Sequence, residues 1–198
     1  SINDERLRDI RGNEISMIFQ EPMTALNPVM TIGKQIDEIF RYHSKMSPKE
    51  RVGKATQLLN DVHLPDPTRI LSAYPHELSG GQRQRSMIAM ALAMDPKILI
   101  ADEPTTALDV TVQAQILNLI SRMQDELGMA VMLITHDLGV IAEQCDEVVV
   151  MYAGEVVERA AVDDIFYRAV HPYTQALISA IPKLQPRQSR PRSDTTVL

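Results

Sequence analysis

The sequence predicts an α/β protein with a parallel sheet and an inserted, mostly helical segment. Two short apolar runs, KILIADEP from Lys97 and MAVMLITHD from Met129, are typical of strands buried on both faces of a parallel sheet. A long helical pattern lies between them, which gives the strand–helix–strand alternation of α/β folds. The third observation is the segment from about residue 31 to residue 94, where helical patterns dominate.

The first elements along the chain are a strand and three principal helices. EISMIFQ, residues 14–20, is predicted as a strand that closes at Pro22. Helices follow in TIGKQIDEIF, in the segment that SPKE opens, and over residues 81–94, where Asp95-Pro96 ends the last one. In SPKE, Ser47 is the predicted N-cap, Pro48 takes the first helical position and Glu50 completes a capping box. The expected buried stripes are Ile32, Ile36, Ile39 and Phe40 in the first helix, and Ala55, Leu58, Leu59 and Val62 in the second.

The second half adds a long helix, a hairpin and short helices. The long helix stops at Gly128, and Asp137 caps the next helix over residues 138–144. EVVVMYAGEVVER is predicted as a hairpin that turns at Ala153-Gly154. Short helices are predicted around residues 164–168 and 173–181, and the polar, basic tail from Gln185 is predicted to be disordered. The expected buried stripe of the long helix is Val112, Ile116, Leu119, Ile120, Met123 and Leu127.

Composition limits the classes of function. The net charge of −6 argues against a general nucleic-acid binder, which is usually basic. Cys145 is the only cysteine, which excludes an intrachain disulfide and a cysteine-based metal cluster. The longest strongly apolar stretch, MIAMALAM from Met87, is far shorter than a membrane span. We therefore expect a soluble cytoplasmic protein.

Polar residues follow both predicted parallel strands. Asp102 and Glu103 end the first strand, at the edge where open α/β sheets bind ligands. One carboxylate there can hold Mg²⁺ through water, and its neighbour can accept the proton of an attacking water. His136 closes the second strand and can donate to a terminal phosphate. The alternative is structural: one acid caps the following turn, and the histidine has no role in chemistry.

The stretch LSGGQRQR, from Leu78, has the features of an anion-binding loop. Ser79 can donate its hydroxyl, Gly80 and Gly81 let a ligand approach the backbone, and a helix begins there. The alternative is an ordinary glycine turn followed by a solvated face from Gln82 to Arg85. A helix end contributes about 0.3–1 kcal/mol to anion binding, and up to about 2 kcal/mol in a sheltered site. Millimolar binding needs about 4 kcal/mol, so this loop only completes a site whose other half lies elsewhere.

Five motifs in order carry a family resemblance. Gln20 after a strand is followed by LSGGQ, ILIADEP, TTALD and THD. This series resembles the nucleotide-binding subunits of ABC transporters, over about residues 7–184. The resemblance implies a P-loop NTPase (RecA-like) core with an inserted helical subdomain, and transport-coupled hydrolysis of ATP with Mg²⁺.

The resemblance also implies roles for particular residues. Gln20 is the Q-loop residue, which links Mg²⁺ and the attacking water to the membrane subunit. Asp102 is the Walker B acid that holds Mg²⁺ through water, Glu103 is the catalytic base and His136 is the switch histidine. The signature, Ser79 to Gln82, meets ATP that is bound on an opposing subunit, with Ser79 and Gly81 at the γ-phosphate. Ala107, Leu108 and Asp109 match the D-loop.

Two further stretches resemble a subgroup of the family. MIFQEPMTALNP and HPYTQALISAIP are similar to importer ATPases for dipeptides, oligopeptides and related small solutes. The implied partners are a second ATPase subunit, two membrane permease subunits and, indirectly, an extracytoplasmic solute-binding protein, without nucleic acid. The implied location is peripheral, on the cytoplasmic face of the cell membrane.

The resemblance divides the chain into five parts. Residues 1–30 are a partial core with the Q-loop, and residues 31–94 are the helical subdomain that ends in the signature helix. Residues 95–160 are the α/β core with Walker B, the D-loop and the switch histidine. Residues 161–184 are an extension of the peptide-importer type, and residues 185–198 are the tail.

The family's P-loop, G-x-x-x-x-G-K-[ST], does not occur in the 198 residues. The nearest match, Gly33-Lys34-Gln35, lacks the first glycine and the Ser or Thr, and it lies after the Q-loop. We therefore expect an incomplete core, with a further segment before Ser1. Without the P-loop strand the sheet exposes an edge and a face, so we predict that the chain alone is poorly soluble or partly unfolded.

Three functions remain open at this stage. The first is the ATP-hydrolysing subunit of a peptide-type importer. The second is a truncated product that docks on partner subunits without hydrolysing ATP. The third, an ABC-type ATPase acting on DNA or the ribosome, is disfavoured by the acidic balance and by HPYTQALISAIP.

Overall fold

The computed structural model describes residues 3–106 and 108–180. They fall into two compact units, the first ending at His136 and the second beginning at Asp137. The first unit contains the parallel sheet and most of the helices, and the second contains a hairpin with three short helices. The five-part division by motif is a different kind of boundary and stays a prediction.

The first unit is built on three parallel strands. They are β1 (Ile15–Ile18), β2 (Ile98–Asp102) and β3 (Ala130–Ile134), in the order β1-β2-β3. Ile18 lies opposite Ala101, and Asp102 lies opposite Ile134. The carboxyl ends of the three strands therefore lie side by side, as the predicted α/β fold requires.

Seven α-helices belong to the described part of this unit. Three of them, the first, second and fifth in the chain, were not predicted from the sequence, and Pro22 begins the second helix at a position where its missing N–H costs nothing. A 3-10 turn at Pro75–Glu77 precedes the sixth helix. The helices are α1 (Asp4–Ile10), α2 (Pro22–Ala25), α3 (Ile32–His43), α4 (Pro48–Asp61), α5 (Pro67–Ser72), α6 (Gly80–Ala91) and α7 (Val110–Leu127).

Local signals set the ends of the predicted helices. The Ser47 hydroxyl accepts the Glu50 N–H at 3.4 Å, and the Glu50 carboxylate accepts the Ser47 N–H at 2.7 Å. This confirms the capping box of α4. Gly128 ends α7 with a φ of 63°, a left-handed conformation that glycine adopts without strain.

One continuous core joins the sheet and the helical segment. Side chains that are fully buried within it include Phe40 of α3, Leu59 of α4, Ile88 of α6, Leu99 of β2 and Ile116 of α7. The predicted stripes of α3 and α4 are confirmed, with Ile39 only partly buried. The inserted helical segment therefore shares its core with the sheet.

The two faces of the sheet differ in exposure. Leu99 and Ala101 are fully buried, whereas Ile98 on the other face is 39% exposed. On β3, Met132 and Ile134 are 49% and 44% exposed, and no residue of the strand is buried. The apolar runs are typical of strands covered on both faces, but successive side chains point to opposite faces and only one face is covered here, which agrees with the exposed face expected above.

Gly33 has a packing explanation. It lies in α3, where a Cβ atom would stand 2.7 Å from the backbone oxygen of Leu71 in α5. The glycine therefore permits the close approach of two helices. It does not belong to a phosphate-binding loop.

The second unit contains α8 (Leu138–Gln144), β4 (Glu147–Tyr152), β5 (Glu155–Ala161), α9 (Val162–Arg168) and α10 (Pro172–Ser179). The strands form the predicted antiparallel hairpin, whose turn places Ala153 and Gly154 at φ values of 50° and 84°. The Glu158 carboxylate of β5 accepts the N–H groups of Val170 and His171 at 2.7 and 3.1 Å, which fixes the turn that starts α10. The predicted end of the last helix at Ile181 and the predicted tail lie outside the described residues.

Candidate functional site

Three side chains from three strand ends meet at the carboxyl edge of the sheet. Gln20 follows β1, Glu103 follows β2 and His136 follows β3. The Gln20 amide donates to Oε2 of Glu103 at 2.8 Å, and Nδ1 of His136 lies 3.0 Å from Oε1. Residues 83 and 33 positions apart in sequence are thus brought to one carboxylate by the parallel register of the sheet.

The backbone of Glu103 is held in an uncommon conformation. Its φ of 42° is in the left-handed region, which costs a non-glycine residue about 1–3 kcal/mol. The Glu103 N–H donates to the Ile134 carbonyl at 2.9 Å, and its own carbonyl accepts the Thr106 N–H at 3.1 Å. The Thr106 hydroxyl also donates to Oε2 of Glu103 at 2.8 Å. The surrounding hydrogen bonds hold the side chain at one place over the sheet edge.

The donors around Glu103 favour its ionised form. Hydrogen bonds from His136 first, then from Thr106, lower the pKa of Glu103 below its ordinary value, and partial burial opposes them. Because an ionised carboxylate can only accept, Nδ1 of His136 carries the hydrogen in this contact. The side chain of His136 is 80% exposed, and its Nε2 atom remains free for a second contact.

The acidic residues fit a magnesium ion that is bound mainly through water. Within residues 3–106 and 108–180, no group of three His, Cys, Asp or Glu side chains could hold a metal by itself. Mg²⁺ commonly keeps several waters and uses one or two carboxylates together with substrate phosphates. Asp102, half-buried at the end of β2, meets that requirement. The carboxylate oxygens of Glu103 already accept three hydrogen bonds, so Glu103 is less available than Asp102 to bind a metal.

The LSGGQ stretch forms the start of α6. The Ser79 hydroxyl accepts the Gln82 N–H at 3.3 Å, and the Gln82 side chain accepts the Ser79 N–H at 3.1 Å. This capping box leaves the hydroxyl hydrogen of Ser79 available to a further acceptor. Ser79 and Gly80 are exposed, so the positive end of α6 is open to an anion.

The two glycines of this stretch are not required by the chain's own packing. A Cβ on Gly80 would meet Leu108 at 4.0 Å, and a Cβ on Gly81 would meet Val112 at 3.5 Å. Both distances are ordinary contacts. The absence of side chains at these positions therefore favours close approach by something outside the described chain.

The alternative interpretation, a solvated face after the glycines, is wrong for Gln84. Its side chain is only 2% exposed, and its amide donates to the carbonyl of Pro104 at 2.5 Å. Arg83 and Arg85 are half-buried and donate to the carbonyls of Leu78 and Val62 at 2.8 and 2.9 Å. These side chains donate to backbone carbonyls because this part of α6 packs inside the first unit.

Asp109 is the N-cap residue of α7. Its carboxylate caps α7 by accepting the Val112 N–H at 3.0 Å, a structural role. Leu108 is the residue that a Cβ on Gly80 would meet, and Ala107 lies outside the described residues. The match of Asp109 to the D-loop, which implies that it contributes to nucleotide binding, stays a prediction.

Thr106 and Gln84 are site residues that sequence reasoning did not single out. Thr106 lies three positions after Glu103, a spacing at which a turn returns a side chain to the residue that opens it. That spacing is a usable signal. Gln84 has no such signal, because its partner Pro104 is twenty residues away and on another element.

Within the described residues, no helix combines the length and the apolar character needed to cross a membrane.

A comparison with protein-family profiles shows which family the chain belongs to. The profile of the ABC transporter family matches residues 1–106, more than half of the sequence. The chain belongs to the ABC transporter family. A second profile, the C-terminal region of oligopeptide and dipeptide transporters, matches residues 157–196 of this ABC transporter chain.

Curated relatives of this ABC transporter chain are named for peptide and glutathione import. It is 57% identical over 190 residues to the "Probable peptide ABC transporter ATP-binding protein y4tR" of Sinorhizobium fredii, covering 96% of this chain and 57% of that protein. It is 56% identical over 182 residues to the glutathione import ATP-binding protein GsiA of Salmonella choleraesuis, covering 92% of this chain and 29% of that protein. The chain thus spans little more than half the length of the first relative and under a third of the second.

Solved structures of ATP-binding cassettes share the fold of this ABC transporter chain. The dimeric post-hydrolysis structure of the ATP-binding cassette MJ0796, bound to ADP and Pi, superposes with a TM-score of 0.70 at 34% identity. The match covers 82% of this chain and 68% of that cassette. The cassette in that structure is dimeric.

Proposed function

We propose that this chain is part of the ATP-hydrolysing subunit of an importer for peptides or related small solutes. The subunit acts at the cytoplasmic face of the cell membrane, paired with a second ATPase subunit and docked on two permease subunits. A solute-binding protein outside the cytoplasm delivers the solute. Support comes from the names of the relatives and from the peptide-transporter match at residues 157–196. The observation that carries the proposal is the Glu103 carboxylate, held ionised by Gln20, Thr106 and His136.

Glu103 is the proposed general base. Oε2 accepts from Gln20 and Thr106, and Oε1 accepts from His136, which leaves Oε1 one further acceptor position for water. The water oxygen bonds to the γ-phosphorus of ATP, its proton passes to Glu103, and the bond to the β–γ bridging oxygen breaks to release ADP. Mg²⁺, held by Asp102 through water with help from Gln20, supplies charge neutralisation at the phosphates when bound.

His136 and Gln20 are proposed to position the reacting groups. His136 uses Nδ1 to hold Glu103 and presents its exposed Nε2 toward the terminal phosphate. Gln20 holds the second carboxylate oxygen through its amide nitrogen, so its amide oxygen is free to meet Mg²⁺ or the attacking water. A displacement of the segment after β1 would then move the carboxylate, which is how the membrane partners would gain control of hydrolysis.

The signature residues are proposed to act on a second subunit. Ser79 through Gln82 open α6 at an exposed helix end, and the contribution of such an end is too small to hold a nucleotide alone. In the proposal, a P-loop outside these 198 residues holds the phosphates from one side and LSGGQ closes the site from the other. Ser79 donates to the γ-phosphate, and Gly81 permits its approach.

A second candidate is a chain that docks on partner subunits without hydrolysing ATP. The observation that favours it is the absence of G-x-x-x-x-G-K-[ST] from the sequence. The Glu103 cluster favours the first candidate, because a docking role alone gives no reason to hold a glutamate in a left-handed conformation beneath three donors.

The test is Glu103→Gln in the full-length protein. The amide keeps the shape of the side chain but cannot accept a proton, so we expect ATP binding to persist and hydrolysis to slow by about 10²–10⁴. Equilibrium binding of ATP and steady-state hydrolysis measure the two effects. Glu155→Gln, the same change at an exposed position in the hairpin, is the control and should leave both unchanged. Normal turnover in the Glu103 variant would remove this residue from its proposed role.

A further inference from the structure

We infer that Gln84 is a positioning residue that links the signature helix to the turn carrying Glu103. This inference rests on the proposed function, because it concerns the placement of the proposed base. It gives a role to a residue of LSGGQRQR that is not one of the four proposed to contact a nucleotide.

The contact itself is short and enclosed. Gln84 is the fifth residue of α6, and its side chain is buried to within 2% of its area. Its Nε2 donates to the carbonyl oxygen of Pro104 at 2.5 Å. Buried side-chain amides in proteins are almost always hydrogen-bonded. Here the amide of Gln84 donates to a backbone carbonyl of another element.

The partner is the residue directly after Glu103. Pro104 is buried, so its carbonyl cannot turn to water for a donor. The Glu103 turn is fixed on one side by the bond from the Glu103 N–H to Ile134 of β3 and within itself by the Thr106 N–H. Gln84 supplies a third attachment to this turn, from α6. In our inference, this attachment helps to hold Glu103 in its left-handed conformation.

The same helix has two functional ends in this arrangement. Ser79 and Gly81 lie at the exposed start of α6, and Gln84 lies less than two turns further along. A shift of α6 when a nucleotide engages Ser79 is therefore transmitted through a rigid helix to Pro104 and the adjacent Glu103. Gln84 thereby makes the position of the base on one subunit respond to the nucleotide that the same subunit's signature meets.

The experiment compares Gln84→Met with Gln57→Met in the full-length protein. Methionine keeps the length and volume of glutamine but has no N–H donor, and Gln57 is exposed on α4, so the control makes the same chemical change at a neutral position. Hydrolysis of Mg-ATP gives kcat and KM, and thermal melting gives the folded state. We expect Gln84→Met to lower kcat about 10- to 100-fold, the effect of a base displaced by roughly 1 Å, with KM for ATP unchanged. Gln57→Met should match the unchanged protein.

A second variant covers the case in which Gln84→Met fails to fold. Gln84→Asn keeps the polar amide but is one methylene shorter, so it cannot reach the Pro104 carbonyl at the same helix position, and the same kcat loss is expected. A kcat equal to that of the unchanged protein in a folded Gln84 variant would overturn the inference. A fall in melting temperature with kcat per folded molecule preserved would also overturn it, because it would assign Gln84 a structural role only.

Glu103→Gln measured in parallel separates this inference from the function on which it rests. If Glu103→Gln stops hydrolysis while the Gln84 variants turn over normally, the inference fails and the proposed function stands. If Glu103→Gln hydrolyses ATP normally, the proposed function fails and the inference fails with it.

Discussion

At the scale of single residues, Glu103 and Gly81 point to a functional site by two different kinds of evidence. Glu103 is held in a left-handed conformation with its carboxylate under three donors, a costly arrangement that its neighbours maintain. Gly81 has the opposite character, because the chain's own packing leaves ordinary room for a Cβ atom there. A glycine that the fold does not need indicates a constraint from outside the fold.

Gly81→Ala therefore should separate stability from activity. The added methyl group meets Val112 at an ordinary 3.5 Å, and alanine is favoured over glycine in helices by up to about 1 kcal/mol. We expect the melting temperature of the full-length protein to be unchanged or higher and ATP hydrolysis to fall, because the methyl group occupies the approach of the γ-phosphate. Thermal melting and steady-state hydrolysis measure the two effects.

Gly53→Ala is the matched control for this substitution. Gly53 lies in α4, and a Cβ there would meet nothing within 4 Å. It should raise stability by a similar amount without a change in hydrolysis. Equal hydrolysis rates in the two variants would contradict the nucleotide-facing role of Gly81.

At the scale of elements, α4 and α6 begin with the same device. Both open with a serine capping box, Ser47 with Glu50 and Ser79 with Gln82. In each the hydroxyl accepts the backbone N–H three residues on, at 3.4 Å and 3.3 Å. Only the α6 serine is proposed to donate to a phosphate as well.

Ser47→Ala and Ser79→Ala should therefore agree in stability and differ in activity. Each loses a cap worth about 0.5–2 kcal/mol, so chemical denaturation should give similar decreases in the free energy of unfolding. Only Ser79→Ala is expected to lower ATP hydrolysis in the full-length protein. If both variants hydrolyse ATP at the same rate, the role of Ser79 is limited to capping.

How far the sequence predicts these elements depends on the range of the interactions that form them. The capping box of Ser47, the stop at Gly128 and the hairpin turn at Ala153-Gly154 depend on neighbours within four residues, and all three predictions are confirmed. The contact between Gln84 and Pro104 depends on which helix packs beside which turn, and no local pattern contains that information.

The candidate site divides in the same way. The sequence shows a polar residue after each strand, Gln20, Glu103 and His136, but not the order of the strands. The parallel register of the structure brings the three side chains into one hydrogen-bonded group, and their roles in hydrolysis stay predictions. The left-handed backbone of Glu103 could not be predicted, because its stabilising bonds come from β3 and from the following turn. The apolar runs predict strands that can be covered on both faces, and the exposed face of the sheet agrees with the expectation drawn from the missing P-loop strand.

At the scale of the whole molecule, the parallel sheet has an exposed apolar face within the described residues. Ile15, Ile98, Met132 and Ile134 are 37–49% exposed along adjacent strands. Apolar surface and strand edges of this kind are templates for association between chains. This exposed apolar face is the physical reason for the prediction that the chain alone is poorly soluble.

The test of that surface is Met132→Lys in the 198-residue chain. A lysine on an exposed strand should oppose edge-to-edge association, so light scattering should report less aggregate than for the unchanged chain. Val29→Lys is the control, because Val29 is 80% exposed and lies outside the strands of the sheet, and it should have little effect. A monomeric unchanged chain with one cooperative melting transition would contradict the prediction.

The central claim is that this chain supplies the signature half of a nucleotide site completed by a second subunit. The most direct measurement is Mg-ATP hydrolysis by the 198-residue chain alone, by a relative that contains G-x-x-x-x-G-K-[ST], and by their mixture. We predict no hydrolysis by the chain alone and more hydrolysis by the mixture than by the relative alone, with the increase lost in Ser79→Ala. Magnesium-dependent hydrolysis by the chain alone, or a mixture no faster than the relative, would contradict the account.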